Sequence, residues 1–413
     1  MYFNANKNVQ LIKGKNNSLL VNSDNKSYVT ISKKFYNILK ECFKGKQIEK
    51  ITNNFVYLEE MLLRLQTTGY GKIDDICRNY DNNSVYLDKN NLDMVWLPIT
   101  ENCNYKCIHC YENAKDNDGV SGNILGIKEY DEFFNKLTSR YKIKCVQITG
   151  GEPLLRGEEF VEKILNMLRK YKIPIIEIFS NLSLVNEDYI KLFKKYNVRI
   201  ATSFYSTKPK VNDTITGVNG SYITSISKLD LLKENDIKFR VAVIILKQNE
   251  HEKDNIRTWL NNRYGLDDKK AYDIVRPIGR GGNYDNIPLN LFNEKYKNPA
   301  KHIMTFAYDY IDYNKTFNSC WGNKICLKSN GELYPCVMSK ICIGKYKDVL
   351  KILDKKTSYR FLTKDKIKTC KYCEFRYLCL ECRAMYSDNK KELKDKPFIC
   401  SYNPKKAKYE TKE

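Results

Sequence analysis

Histidine is almost missing from this 413-residue chain: His109, His251 and His302 are its only three. That scarcity excludes histidine-rich zinc or haem centres. Long apolar runs are missing too, since none approaches the ~20 residues that span a bilayer. The opening residues, Met1-Tyr-Phe-Asn-Ala-Asn-Lys-Asn8, show neither an apolar segment nor a small-residue cleavage site. A cytoplasmic protein without membrane contact is expected. Acidic residues are comparatively few, 49 against 71 Lys and Arg, giving a net charge of +22. A basic chain invites nucleic acid as a partner. Residues 301–413, however, carry 25 basic and 13 acidic side chains together with nine of the fifteen cysteines. Thiolate-bound clusters are anionic and offset such an excess, so the charge permits RNA without calling for it, and nucleic acid is not expected.

Cysteine is what the chain has in plenty. Fifteen thiols in a reducing compartment do not make a disulfide framework, and metal or cluster ligation explains them better. Cys103-Asn-Tyr-Lys-Cys107-Ile-His-Cys110, followed by Tyr111, comes just after the apolar run Met94-Val-Trp-Leu-Pro-Ile-Thr100, which reads as a buried strand. Three thiols on one short loop can hold three irons of a [4Fe–4S] cube and leave the fourth open. Three unrelated buried cysteines are the plain alternative. A second group comprises Cys320 and Cys336, then Cys370-x2-Cys373-x5-Cys379-x2-Cys382, then Cys400. A zinc ribbon would separate its Cys-x2-Cys pairs by about 15–20 residues, whereas five intervene here.

In chain order, residues 1–75 read as a small separate unit. Val9–Lys13, Ser18–Asn22 and Tyr28–Ile31 are short strands parted by turn-rich segments. Ser32 then caps a helix with Phe35, Ile38, Leu39 and Phe43 on one face. A short helix over Gln47–Asn53 and a third with Leu58, Met61, Leu62 and Leu65, stopping at Gly69, complete the unit. Residues 76–92, polar and rich in Asp and Asn, read as a linker. From about 90 to 285 strands alternate with amphipathic helices. The strands are expected at Met94–Thr100, Cys145–Thr149, Ile175–Ser180, Arg199–Tyr205, Phe239–Leu246 and Ala271–Ile278. One helix carries Phe160, Ile164, Leu165 and Leu168, another Tyr189, Leu192 and Phe193, and a third covers about Ser221–Asn235. This alternation implies an α/β fold with a parallel sheet and right-handed crossovers. Chemistry then gathers at the C-terminal strand ends, where the cysteine loop falls. The second strand ends in Thr149-Gly150-Gly151-Glu152-Pro153, where glycines allow close backbone approach and a carboxylate can receive an ammonium group. An ordinary turn is the alternative.

These motifs together resemble the radical S-adenosylmethionine (SAM) family, whose fold is a partial (β/α)6 TIM-like barrel. The resemblance implies that Cys103, Cys107 and Cys110 hold the SAM-binding cluster and that Gly150, Gly151, Glu152 and Pro153 bind the SAM amino group. Ser180, Asn181 and Ser203 would contact the ribose and carboxylate, and His109 would stack on adenine. Solvent-facing polar strand ends are the rival reading of the first three. Arg276-Pro-Ile-Gly-Arg280-Gly-Gly is expected to help close the pocket. Most of 310–402 resembles the SPASM extension, an Fe–S-cluster domain with two auxiliary [4Fe–4S] clusters, which makes three clusters in all. By that resemblance Cys370, Cys373, Cys379 and Cys400 hold the farther auxiliary cluster. Cys320, Cys336 and Cys382 hold the nearer one, with Asn314 standing where a fourth ligand would be. Either an iron is open there or Cys326 or Cys342 completes the set. Cys42, Cys77 and Cys145 are expected in the core.

The strand meander and helices of 1–75 resemble the winged-helix peptide-recognition element of peptide-modifying enzymes, which can take a leader peptide as an added strand. A structural appendage is the alternative. The whole implies a radical SAM/SPASM maturase that cleaves SAM reductively to a 5′-deoxyadenosyl radical and modifies a ribosomally made precursor peptide with a leader. The expected product is a thioether cross-link, and flavodoxin or ferredoxin would donate electrons. Formylglycine formation, as in anaerobic sulfatase maturases, is the second reading. An Fe–S RNA-binding or regulatory protein is the third.

Overall fold

The computed structural model describes residues 1–51, 55–78, 88–115, 124–266, 272–297, 305–385, 392–397 and 400–410. In the first 75 residues, β2 (Val9–Lys13), β3 (Asn17–Asn22) and β4 (Ser27–Ser32) form an antiparallel meander, as the turn residues between them require. Before it, β1 (Tyr2–Ala5) pairs with β5 (Gly71–Asp74), a closure the sequence reading missed. Helix α1 (Lys33–Cys42) starts where the Ser32 hydroxyl accepts the Phe35 N–H at 3.2 Å. The helix expected over Gln47–Asn53 is only a single 3-10 turn, Ile48–Lys50, and residues 52–54 lie outside the described residues. Helix α2 covers Phe55–Thr67.

This unit is less separate than its sequence implies. Val9, Leu20 and Ile31 on one face of the meander pack against α1 and α2. Ile12, Leu19 and Val21 on the other face share a core with Ala307, Tyr308, Ile311, Phe375, Leu378 and Tyr402. The linker expected at 76–92 is partly structured: Asn4 bonds Ile76 and Arg78, and β6 (Asn91–Leu92) pairs with β8 (Lys142–Ile143). Residues 79–87 lie outside the described residues.

The main sheet has the parallel strands β7 (Met94–Pro98), β9 (Cys145–Thr149), β10 (Ile175–Phe179), β11 (Arg199–Phe204), β12 (Phe239–Ile245) and β13 (Asp273–Ile274), each beside the next. Helices α3 (Ile127–Thr138), α4 (Glu158–Lys170), α5 (Glu187–Lys195), α6 (Pro209–Thr216), α7 (Ser221–Glu234) and α8 (Lys253–Tyr264) fall between successive strands. This is the adjacency that short right-handed crossovers give. Helix α4 has Glu158 and Glu159 in its first turn and Arg169 and Lys170 in its last, matching the helix dipole. The sixth strand is far shorter than the expected 271–278, and residue 271 lies outside the described residues. The Val275 N–H still bonds Ile245, but the chain then turns, Ile278 N–H to Arg276 C=O, and crosses above the cysteine loop.

Three strands from the C-terminal third extend this sheet. β14 (Lys324–Leu327) runs parallel to β7, and β15 (Glu332–Tyr334) and β16 (Gly344–Lys345) follow antiparallel. A last hairpin pairs β17 (Tyr402–Asn403) with β18 (Lys408–Tyr409). The C-terminal region expected to begin near 310 therefore shares the main sheet. Cys42 and Cys145 are buried as expected, but Cys77 is only half-buried.

Candidate active site

The cysteine loop leaves β7 and is fastened to the end of β9 by backbone hydrogen bonds. Ile99 N–H bonds Thr149 C=O at 2.9 Å, Gly151 N–H bonds Thr100 C=O at 3.0 Å, and Glu152 N–H bonds Asn102 C=O at 2.8 Å. A Cβ on Gly150, whose φ is +142°, would lie 2.3 Å from Thr100 O, and one on Gly151 would lie 2.1 Å from Asn102 O. The two glycines are thus demanded first by the loop that carries the thiols. Gly151→Ala must push the backbone beside Cys103 aside. We expect at least a tenfold loss of SAM affinity, measured by equilibrium dialysis on the reconstituted protein, and wild-type affinity would contradict the fit.

Two further attachments hold the loop. The N–H groups of Lys106 and Ile108 bond Thr216 and Ile215 at the end of α6, at 3.1 and 3.0 Å. Arg280, on the strap after β13, donates from Nε to Cys107 O at 2.8 Å and from Nη1 to Ala114 O at 2.9 Å, while its own N–H bonds Cys110 O. In sequence Arg280 was only one basic residue in a glycine-rich strap. Its role as a clamp needs the carbonyl positions, which no spacing reveals.

Cys103, Cys107 and Cys110 line a cavity of about 390 Å³ at the strand ends. Gly150, Gly151, Ser180, Asn181, Ser203 and His109 line it as well, joined by Tyr111, Tyr205, Arg240 and Arg276. Burial pushes the Cys103 thiol up to about 11 and that of Cys107 up to about 12, with neighbouring thiols of the trio adding to both. Donors are already in place: Cys103 Sγ accepts from Tyr105 N–H at 3.4 Å and Asn181 Nδ2 at 3.9 Å, and Cys110 Sγ from Ala114 N–H at 3.5 Å. His109 stands edge-on to Tyr205 with ring centroids 4.8 Å apart, and its Nδ1 is buried without a partner. Burial, then the Arg280 charge, lowers its pKa to about 4, so the imidazole is neutral near pH 7.

Glu152 and Pro153 stand apart from the other expected SAM contacts and do not line the cavity. The Glu152 carboxyl is fully buried and already engaged: Oε1 accepts from Leu154 N–H (3.0 Å) and Ser180 Oγ (2.8 Å), and Oε2 from Asn181 N–H (2.7 Å). Burial pushes its pKa up to about 7 against the pull of those bonds. The side chain braces the β10 end, where Ser180 and Asn181 face the cavity.

The C-terminal thiols fall into two sets. Cys336 is pushed up to about 12 by burial and then by Cys320 and Cys382. Cys370, Cys373, Cys379 and Cys400 likewise lie in one another's fields, burial being the largest influence on each. Beside this second set, Lys364 pairs with Glu381 at 3.0 Å and Arg383 pairs with the same carboxylate oxygen. Cys326 is fully buried in β14, within reach of the fields of Glu112 and Cys336. Cys342 instead donates to Gly344 O at 3.5 Å. Asn314 uses its amide to bond Tyr377 O at 2.7 Å. Among the described residues no group of His, Cys, Asp or Glu converges as a single metal ion requires. A cube asks for less convergence, because each thiolate meets its own iron. The three thiols around one cavity, with N–H donors behind them, fit that need.

The family model of the Radical SAM superfamily matches residues 97–260. The cysteine-type anaerobic sulfatase-maturating enzyme of Clostridium perfringens is 22% identical over 353 residues, 73% of this chain and 92% of that protein. The antilisterial bacteriocin subtilosin biosynthesis protein AlbA of Bacillus subtilis is 27% identical over 251 residues, covering 58% of this chain and 54% of that one. Among solved structures, Streptococcus suis SuiB bound to precursor peptide SuiA superposes with a TM-score of 0.57 at 16% identity, over 96% of this chain and 99% of that one. The Radical SAM match spans the strands that carry the cysteine loop and Gly150-Gly151, which makes residues 97–260 a radical SAM enzyme domain, and the chain is similar to a sulfatase-maturating enzyme and to a bacteriocin biosynthesis protein.

Proposed function

We propose that the chain is a radical SAM/SPASM maturase that modifies a ribosomally made precursor peptide, forming a thioether cross-link. The observation that carries this is the pairing of two buried C-terminal thiol sets with a meander unit packed against one of them. The likeness, over nearly the full length of both chains, to SuiB bound to its precursor peptide supports the same reading. In it, residues 1–75 are a winged-helix-like unit holding the leader, 90–285 a partial (β/α)6 barrel, and 310–402 the SPASM extension. A cluster on Cys103, Cys107 and Cys110, with SAM bound, supplies a 5′-deoxyadenosyl radical by one-electron cleavage. The chain's own groups orient and shield. Gly150 and Gly151 present backbone to the SAM amino group, Asn181 and Ser203 face the sugar and carboxylate, and neutral His109 offers a ring to adenine. Arg280 keeps the loop closed against water. Cys320, Cys336 and Cys382 hold the nearer auxiliary cluster and Cys370, Cys373, Cys379 and Cys400 the farther one, with a cytoplasmic flavodoxin or ferredoxin as electron donor.

Formylglycine formation is a second reading, favoured by the 92% coverage of a sulfatase-maturating relative. The test is anaerobic incubation of the reconstituted protein with SAM, a strong reductant and a candidate cysteine-bearing precursor peptide. Formation of 5′-deoxyadenosine with loss of two hydrogens from the peptide is expected. An aldehyde captured by a hydrazide probe selects the second reading, and no 5′-deoxyadenosine from intact clusters defeats both.

A further inference from the structure

Three charged side chains lie buried together beside the farther thiol set. Lys364 is 6% exposed, Glu381 7% and Arg383 1%. Glu381 receives both cations, and Arg383 Nη1 also donates to Asp395 O at 2.8 Å. Among the described residues of this trio, two cations and one carboxylate leave one positive charge in excess. An uncompensated buried charge is unfavourable, so the fold calls for an anion there. The excess faces the right place: Lys364 acts on Cys370, Cys379 and Cys400, and Arg383 acts on Cys370 and Cys379. Lys396 adds positive field at Cys400. Glu374, beside Cys373, accepts from the Tyr402 hydroxyl. Glu381 itself sits between Cys379 and Cys382, on the short segment that joins the two thiol sets.

We propose that Lys364 and Arg383 raise the reduction potential of a cluster on Cys370, Cys373, Cys379 and Cys400 and so ease its uptake of an electron. The proposal rests on the maturase reading above. Joining a thiol to a carbon removes two hydrogens. One leaves the carbon as an atom, to the 5′-deoxyadenosyl radical. The thiol hydrogen leaves as a proton to solvent. The remaining electron reduces the cluster by one unit. A buried cation stabilises the reduced, more negative cluster more than the oxidised one, and net local charge is one of the main determinants of cluster potential. Lys364 and Arg383 are therefore positioning residues for charge and touch no reacting atom.

The experiment is an anaerobic redox titration of the reconstituted full chain followed by electron paramagnetic resonance, with Cys373→Ala identifying the signal of the farther cluster. Lys364→Met should lower that midpoint by the equivalent of at least a tenfold change in the reduction equilibrium, 59 mV for one electron. Lys364→Arg, which keeps the charge, should hold it near wild type. If Lys364→Met assembles poorly, Arg383→Gln removes the same charge from the other side of Glu381 and must shift the midpoint in the same direction. A full iron complement with an unmoved midpoint in the charge-removing variants overturns the proposal alone. A wild-type preparation that binds only about four irons, one cube, overturns the auxiliary-cluster reading and this proposal with it.

Discussion

A chain carrying Cys103→Ala, Cys107→Ala and Cys110→Ala will make no detectable 5′-deoxyadenosine and will bind about four fewer irons than wild type, one cube. The loop is built from both sides for these thiols. Asn181 and two backbone N–H groups point donors at sulfur, and Arg280 grips the carbonyls of Cys107 and Ala114. Alanine at the three positions removes every protein ligand while leaving the backbone bonds to Thr149–Glu152 and α6 intact. The protein should therefore stay folded, with an unchanged melting transition of its cluster-free form. Product formation at wild-type rate would mean that the radical-generating cluster sits elsewhere.

Deleting residues 1–75 should do more than weaken peptide binding. The deletion strips Ile12, Leu19 and Val21 from a core shared with Phe375, Leu378 and Tyr402. At roughly 1.5–3 kcal/mol per buried side chain, that loses ~5–9 kcal/mol, comparable with a whole domain's stability. Contacts next to the farther thiols go too: Lys15 N–H to Tyr372 O at 2.9 Å, and Arg376 Nη1 to Lys13 O at 2.6 Å. We expect the truncated protein to lose the cluster on Cys370, Cys373, Cys379 and Cys400, seen as about four missing irons, and to aggregate. A soluble truncated chain with full iron would show that the C-terminal region stands without the meander. Leader binding is better tested by point substitutions on β4, which leave the shared core in place.

Much of the site was legible because its chemistry is local. Cys103 to Cys110 and Thr149 to Pro153 each lie within a few residues, and β9 falls on the expected Cys145–Thr149. What escaped depends on contacts far apart in sequence. β1 and β5 are four residues each, too short for an alternation to register, and pair across 70 positions. Glu152 gives no sign in sequence that its carboxylate accepts bonds from the β10 end. The sixth strand looked longer because its apolar residues continue past Val275, although they belong to the strap over the cysteine loop. Ile12, Leu19 and Val21 gave a plain strand pattern with no sign that their partners lie some 300 residues later.

The parallel pairing of Met94 with Lys324 has a consequence for the chain as it is being made. During synthesis β7 emerges 230 residues before β14. At ribosomal speeds of about 5–20 residues per second, that is roughly 10–50 s in which one side of β7 offers bare backbone groups. An uncovered parallel edge is a template for pairing with another nascent chain. Yield from overexpression should therefore depend on what shields β7 in that interval, and slower growth or added chaperone should recover soluble protein better than any change at the thiols.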